Sequence, residues 1–297
     1  MSRLLSAVQV LGLLLLGGYF LAQLDTSGLH ALATPRAALW LVAALFAYCV
    51  GQLLNGIAWR HLLNNAGGDV SIREMLLHDL SSVFWCTVLP GGVVGELVKG
   101  VRLARSADPG AVAVSIVTAR LIGGTVACLL ALVSLPFSGF DGLYQAVGGA
   151  ALLATVCVGF GGLIVLKIGP AALPAFVARR VPIGVFPAWR HVVTAFGLAI
   201  VTHTAFALVF CACFAAVGQW IPFPAGAVVS ALTSVAQTVP ITVGGMGIRE
   251  LTIAGLGAAV VPHATADAAA IALAGVFTVF VLLGGLVELG RMARTSR

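Results

Sequence analysis

Two short stretches carry the residue types from which a binding site can be built. One runs Pro90-Gly91-Gly92 into Glu96 and Lys99. The other runs Pro240, then Gly244-Gly245, into Arg249-Glu250. A helix that starts just after such glycines presents unpaired backbone N–H groups and the positive end of its dipole. Glycine also lets the backbone approach a ligand closely. Two such ends facing one cavity would hold an anion, for example a phosphate. A third charge, Arg120, stands ten residues inside an apolar run. A charge within a membrane costs at least about 2.5–3.5 kcal/mol on insertion scales and needs a partner. Glu96, Asp79 or a ligand phosphate would serve.

Other ionisable residues have simpler readings. Glu96 and Lys99, three apart, are spaced to pair with each other, and so are Glu288 and Arg291, expected as a surface pair. Arg249 and Glu250 would point about 100° apart on a helix, one to the cavity and one bracing its own segment. His203 and the His78-Asp79 pair are expected as packing residues. Burial would raise the carboxyls of Glu96 and Glu250, which makes them the better proton-relay candidates. A nucleophile elbow, P-loop, HExxH and carboxylate-rich metal motif are all missing. No enzyme activity, cofactor or metal site is expected. The six cysteines lie in apolar stretches without metal-ligand spacing and are expected as buried, inert thiols.

The surrounding chain is built for a bilayer. Of 297 residues, 60% are hydrophobic and only 9% charged, far below the roughly 25% of soluble domains. The net charge of +6 therefore reports topology before it reports nucleic acid, which is not an expected partner. Apolar runs near 4–24, 38–59, 110–135, 143–166, 191–217 and 268–290 are each long enough to cross a core of about 30 Å. Residues 4–24 are too long for a signal peptide and lack its cleavage pattern. Residues 75–89 and 225–239 are too short to cross. Each is followed by its Pro/Gly break and a second short segment, so the pairs at about 75–105 and 225–261 read as re-entrant hairpins of half-helices.

The expected architecture is a single all-α polytopic membrane domain over 1–297, with about six full spans and two re-entrant hairpins. Three spans lie between the hairpins, so they enter from opposite sides, as in inverted repeats whose broken helices form a site near the midplane. With both termini in the cytoplasm, 13 of the 16 basic residues fall on the inner side, and Arg36 alone falls outside. An inner membrane location is expected.

The stretches Leu89-Pro90-Gly91-Gly92-Val93-Val94-Gly95-Glu96 and Pro240-Ile241-Thr242-Val243-Gly244-Gly245-Met246-Gly247-Ile248-Arg249-Glu250 give a resemblance over nearly the whole chain. It resembles the flippase-like membrane domain of lysylphosphatidylglycerol synthases, a family with many stand-alone members. Lys99 stands where relatives carry arginine and lacks its bidentate geometry, so no phosphate role is carried over to it. The resemblance implies a lipid translocase moving a modified phospholipid or a polyprenyl-phosphate-linked sugar between leaflets. Its partner would be a membrane lipid with an anionic headgroup, with a lipid-modifying enzyme or glycosyltransferase as a further partner. No soluble aminoacyl-transfer domain is expected after the last span. The rival readings are a secondary transporter of a small soluble anion and a lipid-presenting subunit of a partner enzyme.

Overall fold

The computed structural model describes residues 26–88, 94–104, 107–168, 186–238 and 247–295, with Gly18 and Ala22. The rest of the first apolar run and the two Pro/Gly stretches (Pro90, Gly91, Gly92; Pro240, Gly244, Gly245) lie outside the described residues. Within them the chain is helical, with no strand.

Five helices are long and apolar enough to cross a membrane: α1 (Pro35–Asn65), α4 (Pro109–Ser134), α5 (Gly142–Ile168), α6 (Trp189–Ala216) and α9 (His263–Thr295). Between them lie α2 (Ile72–Val88), α3 (Val94–Leu103), α7 (Phe223–Gln237) and α8 (Ile248–Gly257). The starts follow from local chemistry. Thr34 and Asp108 accept from the N–H groups of Ala37 (3.1 Å) and Ala111 (2.7 Å), each with proline at the next position, where its missing N–H costs nothing. Ser71 and Glu74 form a reciprocal cap on α2. Hydrogen bonds from the Ser71 N–H and hydroxyl hold the Glu74 carboxyl below its ordinary range.

The 17 residues of α2 reach about 25 Å and the 15 of α7 about 22 Å, each short of a full crossing. Each packs against the ten-residue helix that follows it, α3 and α8 respectively. Close approach between helices is made by small residues. Gly95 of α3 abuts the Ser82 carbonyl and Cys86 of α2, and Gly284 of α9 abuts Leu80 and Phe84 of α2. The main core gathers Tyr48, Phe210, Phe214, Leu273 and Phe280 from α1, α6 and α9. Leu39, Val42, Phe46, Leu282, Leu286 and Leu289 face outward, as a lipid-facing surface requires.

Two expectations need correction. Cys128, Cys211 and Cys213 are buried, but Cys49 and Cys157 are exposed, because an apolar stretch of a membrane helix has an outer face as well as an inner one. Glu288 is not in a surface pair: it is 3% exposed and held by another helix.

Candidate functional site

The first charged cluster is assembled from four helices. Arg120 of α4 donates to Glu96 of α3 at 2.8 Å. Lys99, also on α3, lies 2.5 Å from Asp79 of α2 and only 3.9 Å from Glu96. Its ammonium sits 3.5 Å from the centroid of the Trp59 ring on α1, a cation–π contact. Lys99 is thus enclosed, 5% exposed, with its charge committed to Asp79. Arg120 differs. Its side chain is 61% exposed, and among the described residues it makes one hydrogen bond, to Glu96, which leaves most of its five N–H donors unused there. Of the partners open to Arg120 from sequence, the structure selects Glu96. Asp79, expected as packing, becomes the partner of Lys99, and its second oxygen is buried without a hydrogen bond. Gly56 of α1 admits that carboxylate, since a side chain there would strike it.

The second cluster is more closed. Glu250 accepts from the Gly247 N–H at 2.8 Å, at the start of α8 where φ is +83°, a conformation suited to glycine. Its other oxygen accepts from Arg249 Nε at 2.8 Å and Nη2 at 2.5 Å. The two residues pair with each other instead of dividing between cavity and brace, and both are under 10% exposed. The Arg249 guanidinium lies 4.2 Å from the centroid of Phe277 on α9. Tyr48 of α1 packs against Phe277 and Phe280 and accepts from Gln52 at 2.8 Å.

One face of α1 therefore serves both clusters: Tyr48 and Gln52 toward the second, Gly56 and Trp59 toward the first. Tyr48 and Trp59 are separated by about 16 Å of helix. Among the described residues no ion pair joins the clusters.

A third arrangement is invisible in the sequence. Arg102 of α3 grips Glu288 of α9 through two bonds of 2.7 and 2.9 Å, and Ser81 of α2 bonds to both. Arg291, the expected partner, is 3.8 Å away. His203 packs edge-on against Phe206.

The long helices and the charges paired between them define an all-α, multi-pass membrane protein. The profile of the lysylphosphatidylglycerol synthase TM region matches residues 4–285, and the chain belongs to that family. Membership ties it to lipid-related processes at a membrane. No curated protein matches the sequence.

Proposed function

We propose that this protein is a lipid translocase that moves an anionic phospholipid or a polyprenyl-phosphate-linked lipid between leaflets, without enzymatic turnover. The observation that carries the reading is Arg120, a mid-helix arginine that is 61% exposed beside a fully engaged Lys99. A lipid phosphate would take the unused donors of Arg120, aided by the half-helix N-termini after Gly91-Gly92 and Gly244-Gly245. Glu96 would be released from Arg120 as the phosphate arrives, which makes it the gating carboxylate, and Glu250 would act in the same way on Arg249. α2–α3 and α7–α8 would be the inverted re-entrant hairpins. The basic residues would mark the cytoplasmic side of an inner membrane, with both termini there. A lipid-modifying enzyme or glycosyltransferase that supplies the cargo would be the natural partner.

The test is reconstitution into vesicles containing chain-labelled phosphatidylglycerol or polyprenyl phosphate. The wild-type protein is expected to move one of them across leaflets, and Arg120→Gln and Glu96→Gln to slow it at least tenfold while folding normally. Unchanged rates in both variants would sink the site. Uptake of a soluble anion with no lipid movement would replace the reading with a secondary transporter.

A further inference from the structure

The most extensive helix contact among the described residues, α1 against α6, ends on a pair of histidines. His61 Nε2 lies 3.0 Å from His191 Nδ1, with the rings edge-on and their centroids 4.8 Å apart. Arg190 Nε donates to the other ring nitrogen of His191, Nε2, also at 3.0 Å. Leu62 and Val192, each one residue on from its histidine, belong to a buried cluster with Ala58, Ala195 and Ala199. The pair therefore closes the end of the α1–α6 core. Both rings are half-buried and Arg190 is exposed, so protons from the adjoining water reach them.

The partners fix the tautomers. Because Arg190 donates to Nε2, the proton of neutral His191 sits on Nδ1 and is donated to His61 Nε2, which leaves the proton of His61 on Nδ1. A first added proton enters at His191 Nε2 and displaces Arg190, and the bond between the rings stands. A second makes every ring nitrogen a donor, so the bond is lost and two like charges face each other. No neighbour offsets them. Arg60 of α1 donates to the Val70 carbonyl, and Lys167 of α5 lies 5.7 Å from the Phe186 ring, which packs on Trp189. Glu74 is bonded to Ser71, Asp108 to the Ala111 N–H and Glu288 to Arg102, while Asp69 and Arg73 are exposed. Among the described residues no carboxylate forms an ion pair with either imidazole.

We infer that His61 and His191 form a pH-sensitive clasp that holds the end of α1 to the start of α6 and opens when both rings are protonated. Its contribution is present above the ordinary histidine range, about pH 6.5, and is lost as the pH falls through it. The clasp lies on the stretch of α1 that carries Trp59, two residues before His61 and in contact with Lys99. Acid on that face of the membrane thus frees the end of the helix that closes the first charged cluster. The inference goes beyond the translocase reading and does not depend on it.

Two measurements on the full-length protein in detergent test the clasp. With histidine 15N-labelled, ring nitrogen shifts at about pH 8 should show His191, assigned by its loss in His191→Gln, with its proton on Nδ1, and both rings charged at about pH 5. Thermal unfolding is followed over the same range. His61→Gln keeps an acceptor for the His191 Nδ1–H whether or not His191 is charged. The wild type is therefore expected to lose about 2–4 °C more of its Tm on acidification than His61→Gln, the worth of one hydrogen bond in a chain of this size. His61→Ala should start lower at pH 8 and fall no further than His61→Gln. His191 protonated on Nε2 at pH 8, either ring still neutral at pH 5, or equal losses of Tm in the wild type and His61→Gln overturns the inference.

Discussion

Arg102 and Glu288 stand 186 residues apart in sequence and form a two-point ion pair that ties α3 to the last long helix. Ser81 of α2 completes the contact, so both arms of the first short-helix pair are anchored to α9 at one place. The fork geometry of guanidinium on carboxylate fixes direction as well as distance. The anchor lies on the same helix, α3, that carries Glu96 and Lys99. It therefore sets where the first charged cluster sits relative to α9.

Removing the carboxylate should loosen this anchor. Glu288→Ala leaves Arg102 without its main partner and is expected to cost about 3 kcal/mol, the lower end for a broken buried pair, because Arg102 is itself partly exposed. Thermal unfolding in detergent would register it as a clear fall in Tm. The exchange Arg102→Glu with Glu288→Arg should recover part of the loss. If Glu288→Ala unfolds at the wild-type temperature, the pair contributes nothing to the assembly.

Lys99 and Asp79 should behave as a unit distinct from Arg120. Lys99→Met strands the Asp79 carboxylate, which already has one oxygen unpaired, and is expected to destabilise the protein by about 3 kcal/mol. Adding Asp79→Asn should restore much of it, giving a large coupling in a double-mutant cycle. The double variant should still move lipid at a rate near that of the wild type, whereas Arg120→Gln should be slowed at least tenfold. Loss of lipid movement in a stable double variant would return a direct role to Lys99.

The long spans were legible in the sequence as apolar runs: those near 110–135, 143–166 and 191–217 end within a few residues of α4, α5 and α6. The short lengths of α2 and α7 were legible too, because the Pro/Gly breaks at 90 and 240 bound them. Pairing across helices was not. Spacing along a helix reports only neighbours three or four residues away, and so it offered Arg291 to Glu288 and Glu96 to Lys99. The shorter contacts come from Arg102 and Asp79, on other elements, and are decided by how the helices cross. For Arg120 the sequence narrowed the protein partners to two carboxylates, and the three-dimensional arrangement chose between them.

Crossings made by glycine should be sensitive to added volume. At Gly284 a new Cβ would meet the Leu80 carbonyl, backbone that cannot step aside without moving α2, and it would come within 2.9 Å of the Phe84 Cβ. Gly284→Leu is therefore expected to cost about 2–3 kcal/mol or more and to disturb the Glu288 anchor one turn away. Gly255 has nothing within 4 Å of its added Cβ, and Gly255→Ala should leave Tm unchanged or slightly higher. Equal effects at the two positions would contradict the close α9–α2 approach.

Glu250 has two tasks that two substitutions should separate. One oxygen caps the Gly247 N–H at the start of α8, and the other receives both bonds from Arg249. Glu250→Gln keeps an amide oxygen as acceptor but removes the charge that holds Arg249, which still has the Phe277 ring beneath it. That variant should fold with a modest loss of about 1–2 kcal/mol and should be slowed chiefly in lipid movement. Glu250→Ala removes cap and partner together and should lose a further 1 kcal/mol or so, the usual worth of a helix cap. Parallel measurement of Tm and transport rate would distinguish the tasks. If Gln and Ala lower Tm equally and slow lipid movement equally, Glu250 acts only as the partner of Arg249 and its contact with Gly247 adds no stability.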